Sequence, residues 1–167
     1  MSPENDRHPT DGCDLAQAVV QCGRDNSFLR AILDVYEDID RASGGDKNEK
    51  LCMGGGACCR FDLFGHRLYV TLGELAVLRL IPPVDPSRTA RNRCPYQQGP
   101  SCLARQNRPL GCRVFFCREQ TNTPDIENHG VYETFHKQIC GLHTRHNVPY
   151  AYMELISALN ILQEFCR

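Results

Sequence analysis

The chain has 167 residues, 41% of them hydrophobic and 23% charged, with a formal net charge of -1. These figures exclude a wholly disordered chain and a strongly basic nucleic-acid binder, and the length allows an ordinary hydrophobic core without covalent staples. The outlying figure is the eleven cysteines, far above the usage of an average domain.

Residues 1–12 are polar, contain Pro3 and Pro9, and read as a flexible tail, with a single domain expected over 13–167. The tail contains no apolar h-region, and no stretch reaches the ~18 apolar residues of a membrane span. The expectation is a cytoplasmic protein without membrane contact, in a reducing compartment where clustered cysteines serve as metal ligands or reactive thiols more often than as disulfides.

From Asp14 to Arg41 the apolar positions Leu15, Val19, Cys22, Leu29, Ile32, Val35, Tyr36 and Ile39 recur at mostly three- and four-residue intervals. This predicts an amphipathic helix over 13–42, split in two near Gly23 and Asn26-Ser27. A polar linker leads to the first cysteine group, Cys52-Met53-Gly54-Gly55-Gly56-Ala57-Cys58-Cys59, which opens a core region over 50–119. Leu68-Tyr69-Val70 is a strand candidate, and Thr71 with Glu74 forms a capping box for a helix to about Leu80, ended by Pro82-Pro83. Six of the ten prolines fall between 82 and 111, so irregular backbone is expected there, followed by a strand at Val114-Phe115-Phe116. A helical pair closes the chain over 127–167, one helix from Glu127 to His146 and one from Pro149, suited to a first helical turn, to Phe165. The expected fold is mainly α: four to five helices around a loop-built cysteine site with one or two short strands.

Seven thiols, Cys52, Cys58, Cys59, Cys94, Cys102, Cys112 and Cys117, lie on these glycine-rich or proline-interrupted loops. Such backbone can turn sulfur atoms inward to the ~2.3 Å that zinc requires. The Cys112-x4-Cys117 gap is common zinc spacing, whereas adjacent Cys58 and Cys59 strain to bind one tetrahedral ion together. The absence of any Cys-x2-Cys argues against a thioredoxin-like redox motif, a simple zinc ribbon and a bacterial ferredoxin run.

Between Pro86 and Arg118 there is no Asp, Glu or Lys but seven arginines, Arg88, Arg91, Arg93, Arg105, Arg108, Arg113 and Arg118, so this segment carries +7 against -1 for the whole chain. Guanidinium groups beside thiolates lower thiol pKa values and offset the negative charge of a thiolate-bound metal. The rival reading is an arginine-rich nucleic-acid or protein-binding module with structural zinc, disfavoured by the near-neutral whole.

The cysteine motifs, together with Cys94-Pro95-Tyr96, Ser101-Cys102-Leu103 and Arg108-Pro109-Leu110-Gly111-Cys112-Arg113-Val114-Phe115-Phe116-Cys117, resemble the YkgJ-type cysteine-cluster family over residues 50 to 120. That resemblance implies a domain chelating zinc or iron, including a 4Fe-4S cluster, since a related cysteine cluster in flagellin lysine methylases is iron-sulfur. It leaves an iron-sulfur redox or methylase-related enzyme or accessory protein as an alternative, although this chain is short for such an enzyme. The family's first motif reads CxxCxxCC, and Gly55 stands where its second cysteine belongs.

His129, His136, Cys140 and His143 share a helical stripe beside the apolar stripe of Val131, Phe135, Ile139 and Leu142. Cys140 or His143 is the candidate replacement for the ligand lost at Gly55, set against a plainer reading of these groups as a solvated polar flank. Cys22 and Cys166 read as core packing, His66 as a surface turn, and Cys13 as a helix-start thiol without further support. Whether the centre is structural or catalytic is not decided by the sequence.

Overall fold

The computed structural model describes residues 12–42, 56–114 and 126–165. The fold is mainly α, with two antiparallel two-stranded sheets among the described residues. Helices α1 (Gly12–Arg24) and α2 (Asn26–Ala42) divide at Asp25. The Asp25 carboxylate accepts from the Phe28 amide at 2.9 Å and the Ser27 hydroxyl at 2.7 Å, capping α2 as short acidic side chains do. The expected break is present, and its cause is a cap at Asp25; Gly23 remains helical within α1.

Strand β1 (Tyr69–Thr71) runs into α4 (Leu72–Leu78) through the predicted capping box: the Glu74 amide donates to Thr71 Oγ1 at 3.3 Å and the Thr71 amide to Glu74 Oε2 at 2.8 Å. Every residue of α4 is buried, which places this short helix at the centre, packed on α1 and α2. Gly73 permits that approach, because a Cβ there would meet the side chains of Ile32 and Phe28. Phe28, Ile32, Tyr36, Ile39, Leu72, Leu75, Ile139 and Leu155 are essentially inaccessible to solvent, and each such side chain contributes about 1.5–3 kcal/mol on burial.

Helix α6 (Ile126–Arg145) packs on α2 and buries Phe135, Ile139 and Leu142, as its stripe predicts. The last helix departs from expectation. It begins at Leu155, not Pro149: residues Tyr152–Glu154 form strand β4, antiparallel to β1 with Tyr69 opposite Glu154, and α7 (Leu155–Phe165) follows. Pairing with β1 outweighs the local preference of Pro149. The Glu154 carboxylate then accepts from the amides of Ile156 at 3.1 Å and Ser157 at 2.7 Å, fixing the helix start with negative charge at its positive end.

The proline-rich stretch contains a 3-10 turn (Pro86–Arg91) and a small hairpin, β2 (Gln97–Gln98) with β3 (Ser101–Cys102). Val114, expected in a strand, ends the short helix α5 (Leu110–Val114), whose first amide donates to Glu74 Oε1 at 2.8 Å. The buried carboxylate thus serves two helix starts at once. Residues 1–11 of the expected tail, Phe115, Phe116 and Cys166 lie outside the described residues. No described helix is long and apolar enough to cross a membrane.

Candidate metal centre

Five of the seven predicted thiols lie in the described residues, spread over four kinds of backbone. Cys58 and Cys59 occupy a 3-10 turn (Ala57–Cys59) that leads into the single helical turn α3 (Phe61–Phe64). Cys94 follows a left-handed Asn92, Cys102 lies on β3, and Cys112 on α5. Cys52 and Cys117 lie outside the described residues.

Backbone and side-chain bonds draw these segments together. The Cys94 amide donates to the Cys59 carbonyl at 3.0 Å. The Gln97 side-chain amide donates to the carbonyls of Gly56 at 3.2 Å and Gly99 at 3.1 Å, tying the hairpin to the Cys58-Cys59 turn. Gly56 has φ +66° and lies against Gln97, so a side chain at this position would be both strained and obstructed. Asp62 receives Arg60 Nε at 3.1 Å and Arg93 Nε at 2.9 Å, a bridge between the turn and the Cys94 loop. The two guanidinium groups, Arg60 first, hold the Asp62 carboxyl at about 2.

The thiols influence one another: Cys59 acts on Cys58 and Cys112, and Cys94 and Cys102 act on Cys59. The hydrogen bond to Cys59, then burial, pushes the Cys58 thiol up; on Cys59 the bond from Cys58 is outweighed by Cys94 and burial, so its thiol is also raised. Burial raises Cys112 first, with the neighbouring Cys59, Cys58 and Cys102 adding and Arg108 opposing, while Cys102 is raised by burial against Arg108 and Arg105. Without a ligand these groups are neutral thiols. Among the described residues no three His, Cys, Asp or Glu side chains are posed around one point so as to hold an ion.

The arginines divide by role. Arg113 is 3% exposed, paired with Asp40 Oδ2 at 2.5 Å and laid over the Tyr36 ring at 4.2 Å. Arg88 is held by Asp85 and the Gln97 carbonyl, so neither joins an open cationic stripe. Arg108 is different: its charge favours the thiolate forms of Cys58, Cys102 and Cys112, and its Nε is buried without a hydrogen-bond partner among the described residues. Burial, then Arg113 and Arg105, lowers its own pKa. A buried, unpaired donor on a cation costs about 1–3 kcal/mol or more, and neutral thiols recover little of that. Arg118 lies outside the described residues.

Cys140 and His143, the candidate replacement ligands, take other partners. His143 Nδ1 is 2.5 Å from the Pro149 carbonyl, its ring packs on Phe28 at 4.8 Å, and it is 1% exposed. It belongs to the core, not to a solvated flank; His129 is exposed and His136 half-buried. Cys140 faces His136 and Tyr150. His66 lies near the cluster, but its Nε2 is 3.2 Å from the Cys58 carbonyl, holding backbone and not sulfur. Cys22 is a core thiol, raised by burial to about 12. The Asp62 bridge and the Gln97 tether carry no motif in the sequence that could have signalled them.

No family model, curated protein or solved structure matches this chain.

Proposed function

We propose that this chain is a metal-binding protein whose clustered thiolates hold zinc or an iron-sulfur centre, with Cys58, Cys59, Cys94, Cys102 and Cys112 as the described donors and Cys52 and Cys117 completing the set. The observation that carries the reading is Arg108: a guanidinium whose buried Nε has no hydrogen-bond partner among the described residues and whose charge acts on Cys58, Cys102 and Cys112. Metal binding deprotonates thiols, and thiolates would give this cation the anionic neighbours that neutral thiols do not. The donor chemistry fits, since sulfur-rich sets select zinc and iron-sulfur clusters over hard cations.

The metal would supply cross-linking of irregular loops and, if it is iron-sulfur, electron transfer. The residues of the chain supply the rest. Arg108 and Arg105 favour thiolates, Asp62 and Gln97 fix the loops, and Tyr96, 2% exposed, is buried between Cys94 and Cys102 in the sequence. Elemental analysis of anaerobically purified protein, read with its visible spectrum, tests the proposal. Stoichiometric zinc without colour identifies a zinc site, and iron with sulfide and a brown spectrum an iron-sulfur centre. Folded protein containing neither contradicts the reading.

A further inference from the structure

Helix α6 presents a second thiol site with a separate set of partners. Cys140 Sγ lies 3.7 Å from Nε2 of His136, one helical turn earlier, and 3.4 Å from the Tyr150 hydroxyl. The Tyr152 ring stands 4.7 Å from the His136 ring, and Tyr132 stacks on the same imidazole at 5.7 Å and 17°. The Tyr132 and Tyr152 hydroxyls are joined at 2.6 Å. Cys140, His136 and the three tyrosines are all half-buried, so the group is not sealed in the core. Cys22 differs: it is 0% exposed, with its thiol turned to the Pro149 carbonyl. The metal centre proposed above uses none of these five groups.

The spacing of four residues keeps His136 and Cys140 on one helix face. Burial lowers the proton affinity of His136, so the imidazole is neutral and has a lone pair for the thiol proton, and its Nε2, 3.7 Å from the sulfur, is placed to receive it. Once that proton moves, the sulfur has two donors, the imidazolium N–H and the Tyr150 O–H, whose hydrogen rotates to suit its partner. Tyrosine and histidine rings wall the site, a surface that favours flat, uncharged, polarisable molecules over charged ones.

We propose that Cys140, with His136 as its base and Tyr150 as a donor to sulfur, is a covalent binding site for flat α,β-unsaturated carbonyl compounds. In the step, the thiol proton passes to His136 and the sulfur forms a bond to the β-carbon as the carbon–carbon π bond opens. The proton then returns from His136 to the α-carbon. Nothing leaves, and no oxidant or reductant is needed.

The test is labelling of the full, metal-loaded chain with N-ethylmaleimide, quenched at intervals and resolved residue by residue by peptide mass spectrometry. Cys13 is exposed, with the Gln17 side-chain amide 3.5 Å from its sulfur, and serves as the exposed reference thiol; protection of Cys22 reports the intact fold. Cys140 should label on the order of tenfold faster than Cys13. His136→Gln should bring Cys140 to the rate of Cys13, and Tyr150→Phe should slow it severalfold, with Cys13 unchanged in both. Labelling of Cys140 no faster than Cys13 overturns the proposal, as does an unchanged Cys140 rate in His136→Gln protein with Cys22 protected. Should His136→Gln expose Cys22, an unchanged rate in Tyr150→Phe protein overturns it equally. None of these readings depends on which metal the thiol cluster holds.

Discussion

Residues 72–78 and residues 94–102 are close in sequence and are held by different forces. Helix α4 is buried on every side, capped reciprocally by Thr71 and Glu74, and gripped by Phe28 and Ile32 through Gly73. The Cys94 loop and its hairpin have a few backbone bonds, one glutamine tether, partly exposed ion pairs to Asp62, and thiols in place of aliphatic side chains. Burial of the first kind stabilises by kilocalories per residue, whereas partly exposed ion pairs contribute about 0–1 kcal/mol each. The contrast teaches that the helical region specifies its own shape through burial, while the cysteine region rests on a few polar ties, which the proposed metal would supplement.

The largest effect that would break this comparison is metal removal. Stripping the protein with a strong chelator should release order in residues 56–60 and 93–103 while α2, α4 and α6 stay protected, as read by amide hydrogen exchange. Structural thiolate sites contribute on the order of 10 kcal/mol; equal protection of both regions after stripping would mean the loops are self-sufficient. The converse perturbation is Phe28→Ala, expected to cost about 3–5 kcal/mol in denaturant unfolding while leaving metal content per folded chain unchanged. Loss of metal in the folded variant would show that the two regions are not separable.

Acid sharpens the comparison from the helical side. Burial holds His143 at about 4, below the ordinary 6.5, so the unfolded chain takes up the proton first. His143 therefore adds stability that is fully present above pH 6.5 and is lost as pH falls towards 4, about 3 kcal/mol in all. The denaturation midpoint of wild type should fall more steeply over that window than that of His143→Gln; parallel curves would refute the assignment. The smallest effect is expected at Asp62→Asn, which loosens Arg60 and Arg93. It should leave the thermal midpoint nearly unmoved and speed metal release severalfold, measured with a chromophoric chelator.

Periodicity made the helical region legible. Leu15, Val19 and Cys22, the α2 stripe, and Phe135 with Ile139 all occupy the buried faces their spacing predicts. The capping box at Thr71 was equally readable, because its two hydrogen bonds join residues three apart. What sequence could not reveal depends on distant partners. Pro149 precedes a strand because β1 is there to pair with it, and Val114 is helical because Glu74 reaches the first amide of α5. His143 is buried because Phe28 and Tyr150 enclose it. In the cysteine region the spacing marked the thiols as candidates, yet Arg108 is only one of seven arginines until the fold leaves its Nε without a partner among the described residues.

Native mass spectrometry of the anaerobically purified chain tests the central claim most directly, with Cys59→Ser/Cys112→Ser protein alongside. The account predicts a wild-type mass increased by a stoichiometric zinc ion or iron-sulfur cluster, absent from the double variant. A folded wild-type chain at its bare polypeptide mass, with its thiols freely titratable, would contradict it.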